Sequence, residues 1–190
     1  MGNIFTAFKN QTPLIVTAGQ QARSILPFDP FLSATQATDL PKPYVKWACE
    51  PARAEDVPLA LARAYHIAMQ APRGPVFVSI PADDWDRPAD YVEPRQVSRS
   101  IAPDPAVLGQ LAEALNRAQR PAIVAGTGVD RDSAMDLVVE LAERHCAAVY
   151  TAPMSARCAF PETHRLFGGF LPAMRERIVE KLAGHDLVLV

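Results

Sequence analysis

Short apolar runs alternate along the chain with longer segments in which apolar residues recur every three or four positions. The short runs have the length and composition of strands buried on both faces of a parallel sheet. These predicted strands are residues 14–18, 76–80, 122–125, 148–151 and 187–190. The alternation at residues 44–49 is weaker and leaves open whether that segment forms a further strand.

The segments between the strands predict amphipathic helices. One helix is predicted over residues 55–71, with Pro58 in the first turn, where a missing N–H has little cost. Asp104 precedes Pro105, which places a capping carboxylate before a proline at the first helical position. Apolar stripes then mark helices at residues 107–115, 134–142 and 174–182.

Strand–helix–strand order predicts parallel sheets with helices on both faces. The periodic pattern lapses between Asp83 and Ser100, where prolines are frequent, so this stretch is interpreted as an interdomain linker. We therefore expect an α/β protein with two incomplete three-layer units, whose mainly parallel sheets are flanked by helices. The predicted boundaries are 1–86, a linker at 87–100, and 101–190.

Composition narrows the class of protein. The 190 residues are 49% hydrophobic and carry a net charge of −2, which predicts a folded core and provides no basic surface for nucleic acid. No apolar run is long enough to span a bilayer, and residues 1–5 lack the basic start of a signal peptide. Cys49, Cys146 and Cys158 are odd in number and widely spaced, as is typical of reduced thiols in a cytoplasmic protein.

The sequence offers few motifs of the kind that mark a metal site or a nucleophilic catalytic residue. The four histidines have no partner at ligand spacing, and no serine lies in a Gly-x-Ser-x-Gly elbow. Gly126-Thr127-Gly128 lies between a strand and a helix, as a phosphate-binding loop would. The third glycine of a dinucleotide motif is missing, which favours a simple tight turn, and nucleotide binding is kept as an alternative.

The most chemically suggestive positions follow the strands of the first unit. Gln20, Gln21 and the apolar segment 25–32 come after a strand's carboxyl end, where ligands of open α/β sheets bind. Such an apolar loop predicts a pocket or an interface. Asp83 and Asp84 have the chemistry to bind a cation or to share acid–base roles. Their place directly after a strand favours a structural turn instead.

Three phrases in the first half, 13–19 (Pro-Leu-Ile-Val-Thr-Ala-Gly), 42–47 and 74–83, resemble in order and spacing the second half of the pyrimidine-binding domain of thiamine-diphosphate (ThDP) enzymes. Phrases at 121–126, 152–161 and 184–190 resemble the middle domain of the same enzymes. The resemblance covers essentially the whole chain. The phrases 17–21 and 45–47 favour the benzoylformate decarboxylase family within this group.

The resemblance implies a function for the complete enzyme. It would use ThDP and Mg²⁺ to decarboxylate a 2-keto acid, most closely benzoylformate to benzaldehyde and carbon dioxide, as a homo-oligomer that is a tetramer in the family. Phe31 and Leu32 match positions that look towards the substrate pocket of the paired subunit. Asp39, Leu40 and Lys42 match a turn whose backbone oxygens hold a structural magnesium.

One departure bears on the substrate. Acetolactate synthases carry Ala-Phe-Gln-Glu where this chain has Phe31-Leu32-Ser33-Ala34. The resemblance therefore makes an acetolactate-synthase-like carboligase a weaker alternative, and the apolar pair suits an aromatic substrate.

The family's catalytic groups match no position in this chain. Its glutamate and one histidine lie upstream of residue 1, and its second histidine and Gly-Asp-Gly…Asn motif lie downstream of residue 190. We therefore expect a fragment with no catalytic residue of its own, inactive and without bound ThDP when alone. Two alternatives stay open, namely a nucleotide-binding module at residues 126–128 and an assembly piece without a ligand.

Overall fold

The computed structural model describes residues 1–98 and 101–190, which divide into two compact units, Met1–Ile101 and Ala102–Val190. The first unit contains α1 (Gly2–Lys9), β1 (Leu14–Gln20), β2 (Ala48–Cys49), α2 (Val57–Met69) and β3 (Pro75–Pro81). The second contains α3 (Pro105–Arg117), β4 (Pro121–Ala125), α4 (Thr127–Arg131), α5 (Met135–His145), β5 (Ala148–Thr151), β6 (Phe167–Phe170), α6 (Arg175–Leu182) and β7 (Leu187–Leu189). The predicted α/β class with parallel sheets flanked by helices is confirmed.

The first unit is built on a parallel sheet in the order β1-β3-β2. All seven residues of β3 are buried, which explains why this strand reads as one continuous apolar run. Ala64 and Ala68 of α2 pack on Val76, Val78 and Ile80. The small alanine side chains allow the helix to lie close to the sheet and seal its core.

The open question of residues 44–49 is answered by backbone pairing. Only Ala48 and Cys49 form regular strand, opposite Phe77 and Val78. The pairing extends further along the chain, because Lys46 N donates to Pro75 O at 2.8 Å and Phe77 N donates to Trp47 O at 2.9 Å. The segment is therefore an irregular edge strand, which accounts for its weak alternation.

The second unit has a parallel sheet in the order β6-β5-β4-β7. Its core joins the sheet to α5 and to the loop after β5, and it consists of Ile123, Ala125, Ala142, Ala147, Val149, Ala159 and Phe160. The predicted cap of α3 is present, since Ala106 N donates to Asp104 Oδ1 at 2.8 Å. The local helix and strand signals of this unit thus agree with its fold.

Strand β6 was not predicted, because Phe167-Gly168-Gly169-Phe170 is not an apolar run. Local geometry explains why both central residues of this strand are glycines. Gly169 has φ +98°, and a Cβ on Gly168 would lie 2.5 Å from Tyr150 Cε1. The strand therefore forms by pairing with β5 rather than through its own composition.

Residues 88–98 form neither helix nor strand. Tyr91, Val92 and Pro94 line a groove together with Leu61 and Tyr65 of α2, so this stretch runs along the helix of the first unit. Within the described ranges 1–98 and 101–190, no helix combines the length and apolar character needed to cross a membrane.

Candidate functional site

The carboxyl ends of β1, β2 and β3 meet at one edge of the first sheet, because parallel strands point the same way. Gln20 is the last residue of β1, Glu50 directly follows β2, and Ser79 lies near the end of β3. We refer to this region as the carboxyl edge of the first unit. Its polar side chains interact with one another and with the loops that follow the strands.

Gln20 ties the end of β1 to a loop fourteen residues further along the chain. Its side-chain Nε2 donates to Ala34 O at 2.8 Å, and its Oε1 accepts from Ala34 N at 3.1 Å and from Gln21 N at 3.0 Å. The residue is 6% exposed. A buried amide with its donor and acceptor both satisfied fixes the backbone that it contacts.

Glu50 connects the other two strands to Gln20. Ser79 Oγ donates to Glu50 Oε2 at 2.6 Å, and Gln20 Nε2 lies 3.5 Å from the same oxygen. A carboxylate attracts donors strongly, so Glu50 favours the amide orientation that turns Nε2 towards it. One hydrogen-bonded set therefore joins β1, β2 and β3.

A second set is centred on Arg23. Its guanidinium holds Asp84 bidentately, with Nε to Oδ1 at 2.9 Å and Nη2 to Oδ2 at 2.7 Å, and Nη2 also donates to Pro51 O. The Asp84 side chain is 4% exposed. The hydrogen bond to Asp84, partly offset by desolvation, raises the pKa of Arg23 above its ordinary value.

Asp83 completes this second set. Its Oδ1 accepts from Arg23 N at 3.0 Å, and this backbone hydrogen bond lowers the pKa of Asp83. The favoured structural interpretation of Asp83 and Asp84 agrees with these contacts, since both carboxylates hold the chain around Arg23. In the part of the chain that the structure describes, no group of three or more His, Cys, Asp or Glu residues could hold a metal ion.

The apolar loop after β1 lies on the same edge. Phe31 is 99% exposed and Leu32 is 74% exposed, and Phe28 on the same loop is also exposed. Their side chains are thus available to a ligand or to another protein surface. The pocket role expected for Phe31 and Leu32 stays a prediction.

The turn expected to hold magnesium is also exposed. Lys42 N donates to Asp39 O at 3.0 Å, and Lys42 Nζ pairs with Asp39 Oδ1 at 2.7 Å. Among the backbone hydrogen bonds of the described residues, none uses the carbonyl oxygens of Leu40 or Lys42. Carbonyl oxygens are suitable ligands for a hard cation. The donor set therefore fits the cation, and the metal role of these three residues stays a prediction.

The second unit brings fewer candidate groups together. Gly126 lies between β4 and the five-residue helix α4, and a Cβ on it would meet Ala152 Cβ at an ordinary 3.9 Å. No close approach therefore demands glycine at this turn. His185 contacts the Tyr150 hydroxyl at 3.2 Å and the Arg120 carbonyl at 3.1 Å, a structural role.

Sequence reasoning missed Arg23, Glu50 and Ser79. Glu50 follows a strand that was itself uncertain, and Ser79 lies inside an apolar run that gives no polar signal. Arg23 and Asp84 are 61 positions apart, so their pairing depends on the register of β1 and β3. The one available signal was the concentration of polar residues directly after the strands, which did identify Gln20.

Residues 108–190 match the family model described as "Thiamine pyrophosphate enzyme, central domain". The second unit therefore has the sequence pattern of a thiamine diphosphate enzyme's central domain. The chain as a whole is homologous to benzoylformate decarboxylase. It is 45% identical to that enzyme of Pseudomonas aeruginosa over 100% of the chain and 37% of the relative.

A solved structure and a second relative are also similar to this chain along almost its whole length. The crystal structure of benzoylformate decarboxylase from Polynucleobacter necessarius is 43% identical with a TM-score of 0.92, over 99% of this chain and 36% of that one. The acetolactate synthase large subunit of Haemophilus influenzae is 26% identical, over 98% of this chain and 33% of the relative. The chain spans about a third of the length of these relatives. The family model over residues 108–190 links it to ThDP-dependent enzymes.

Proposed function

We propose that this chain is part of a ThDP-dependent decarboxylase that converts benzoylformate into benzaldehyde and carbon dioxide. The similarity to benzoylformate decarboxylase over the whole chain carries this proposal. Within that protein, residues 1–86 are the second half of the pyrimidine-binding domain, 87–100 a linker, and 101–190 the middle domain.

The contribution of this chain is an apolar wall at the carboxyl edge of the first unit. Phe31 and Leu32 are exposed there, and an aromatic side chain packs well against the phenyl ring of an aromatic keto acid. Bound ThDP supplies the electron sink for decarboxylation. Water is kept from the reacting carbon by apolar residues such as these.

The metal part of the proposal concerns the turn at residues 39–42. The carbonyl oxygens of Asp39, Leu40 and Lys42 would hold a structural magnesium, supported by the two carbonyls that no backbone amide uses. A second magnesium, with the diphosphate of ThDP, is assigned to no residue of this chain. We do not expect the 190 residues alone to bind ThDP.

Exposed apolar residues and free thiols support a proposal for the assembly and the location. We propose a homo-oligomer, a tetramer as in the family, because Phe28, Phe31 and Leu32 are exposed together on one loop. We place the protein in the cytoplasm, because Cys49, Cys146 and Cys158 are free thiols.

The proposal is tested by turnover. The full-length protein that contains this chain and the 190-residue chain are purified separately and given ThDP, Mg²⁺ and either benzoylformate or pyruvate. We expect benzaldehyde from the full-length protein and no turnover from the 190 residues. Acetolactate as the main product from pyruvate would favour the carboligase alternative, and ThDP-dependent turnover by the 190 residues would overturn the fragment interpretation.

A further inference from the structure

The loop of residues 24–33, here called loop 24–33, is anchored at both of its ends. Before it, Arg23 is fixed through its backbone N–H to Asp83 and through its guanidinium to Asp84. After it, Ala34 is fixed through its N–H and its carbonyl to Gln20. Both anchors are on the carboxyl ends of β1 and β3, so the sheet determines where the loop begins and ends.

Between the anchors, the loop presents apolar side chains to the outside. It contains one short turn of 3₁₀ helix, Leu26–Phe28, and Ser33 N donates to Pro30 O at 2.8 Å. Phe31 and Leu32 lie three and two residues before Ala34, the residue that Gln20 holds. Their position relative to the sheet therefore depends on the contact at Ala34 more than on packing of their own side chains.

The anchor at Ala34 requires the two-sided chemistry of an amide. Nε2 must donate to Ala34 O while Oε1 accepts from Ala34 N, and neither a carboxylate nor an apolar side chain does both. Glu50, itself held by Ser79, lies on the Nε2 side and selects this orientation. The position of Ala34 thus depends on three side chains, Gln20 of β1, Ser79 of β3 and Glu50 directly after β2.

We propose that Gln20 is a positioning residue that fixes Phe31 and Leu32 for recognition of an aromatic substrate. The recognition part rests on the proposed function, whereas the anchoring of loop 24–33 does not. Two measurements therefore separate the two parts. The first follows the loop itself, and the second follows the choice of substrate.

The first measurement is hydrogen–deuterium exchange on the 190-residue chain. Gln20→Met keeps the length of the side chain and removes both hydrogen bonds to Ala34, together with the contacts to Gln21 N and Glu50. Gln36→Met, at an exposed position in the same region, is the matched control. We expect amides of residues 24–34 to exchange about tenfold faster in Gln20→Met, with β3 unchanged, since loss of an anchor opens the loop locally. Gln36→Met should match the unsubstituted chain.

Unchanged exchange in residues 24–34 would overturn the anchoring. Equal acceleration in the loop and in β3 would overturn it too, because Gln20 would then serve the stability of the whole unit. Gln20→Leu, which also removes the amide but adds no charge beside Glu50, provides a second variant should Gln20→Met fail to fold. It should accelerate the same amides by a similar factor.

The second measurement is made on the full-length protein. We expect Gln20→Met to lower kcat/KM for benzoylformate by about tenfold, mainly through a higher KM, because a misplaced binding group loses orientation. The kcat/KM for pyruvate should change less than about twofold, since the methyl group of pyruvate would have little contact with the apolar wall of Phe31 and Leu32. An equal loss for both substrates would overturn the specificity role. Failure of the unsubstituted protein to use benzoylformate would instead refute the proposed function and leave the exchange result standing.

Discussion

The two units share a parallel-sheet architecture but hold the carboxyl edges of their sheets differently. In the first unit, side chains at and just after the strand ends hold the loops, through the buried amide of Gln20 and the ion pair of Arg23 with the buried Asp84. In the second unit, Arg157 pairs with Asp130 at 2.9 Å, and their side chains are 41% and 37% exposed. Solvent screening weakens an exposed ion pair, so this pair contributes little to holding the loop in place.

In the second unit, the packing of a buried side chain instead holds the loop at the carboxyl edge of the sheet. Phe160, in the loop after β5, is fully buried among Ile123, Val149 and other core residues. A packed loop needs no specific polar partner, whereas the loop after β1 leaves its large apolar side chains exposed and must be held from its ends. The difference indicates that the loop after β1 presents its aromatic side chains, whereas the loop after β5 is held by a buried one, Phe160.

The largest expected effect comes from breaking the ion pair between Arg23 and the buried Asp84. Arg23→Met should lower the free energy of unfolding of the first unit by about 3 kcal/mol, because it leaves the buried Asp84 carboxylate unpaired. Urea unfolding followed by tryptophan fluorescence measures this, since Trp47 and Trp85 both lie in the first unit.

The matched change in the second unit is Arg157→Met. Because this pair is exposed, the loss should stay below about 1 kcal/mol, measured by circular dichroism in urea. Equal losses from the two substitutions would contradict the proposed difference between the edges.

A medium effect should follow from disturbing the packing of the second unit. In Gly168→Ala, the added methyl would lie 2.5–2.9 Å from three atoms of the Tyr150 ring. We expect a loss of about 2 kcal/mol, as is typical of overpacking, with no change in tryptophan fluorescence.

Gly109→Ala is the control for that substitution. It lies inside α3 with no atom within 4 Å of the new Cβ, and it should raise stability by up to about 1 kcal/mol. If Gly168→Ala were as harmless as Gly109→Ala, packing at β6 would not be what supports the second unit.

The smallest effect concerns acid, to which both units should respond alike. Backbone N–H groups of Gln119 and Arg120 lower the pKa of Asp186, and that of Arg23 lowers the pKa of Asp83, each below the ordinary 3.8. A lowered folded pKa stabilises the fold above pH 3.8, and this stabilisation is lost as pH falls through the folded value.

Asparagine substitutions test this acid response one unit at a time. Asp186→Asn should make the second unit less stable near neutral pH and flatten its acid sensitivity between pH 5 and pH 2, and Asp83→Asn should do the same for the first. Urea midpoints measured across that range give the result. An unchanged pH profile in both variants would show that these carboxylates are not held as described.

Much of the fold was predictable because its signals are local. Strands β3 and β4 are buried throughout and read as apolar runs, and Asp104 caps its helix within three residues. Strand β1 was also expected to be buried, but only its last residue, Gln20, is. Helix α2 was predicted over 55–71 and is observed over Val57–Met69. Strand β6 was missed, since two glycines serve close approach and backbone conformation rather than composition.

The candidate site was less accessible from sequence. Chain order alone places Gln20 and the loop after it at a carboxyl edge, and Phe31 and Leu32 do lie there. The contacts of Arg23 with Asp84 and of Gln20 with Ala34 depend on strand register and loop path, which no local pattern encodes. The resemblance to ThDP enzymes supplied the expected function, which the residues alone did not.

The most direct test of the account is the ratio of kcat/KM for benzoylformate to that for pyruvate in the full-length protein carrying Phe31→Ala. The matched control is Phe170→Ala, which removes a half-exposed aromatic side chain from the end of β6 in the second unit. The account predicts that Phe31→Ala lowers the ratio by about tenfold or more, because an aromatic wall contact is lost, while Phe170→Ala leaves it unchanged. An unchanged ratio in Phe31→Ala would contradict the claim that the first unit's carboxyl edge faces the substrate.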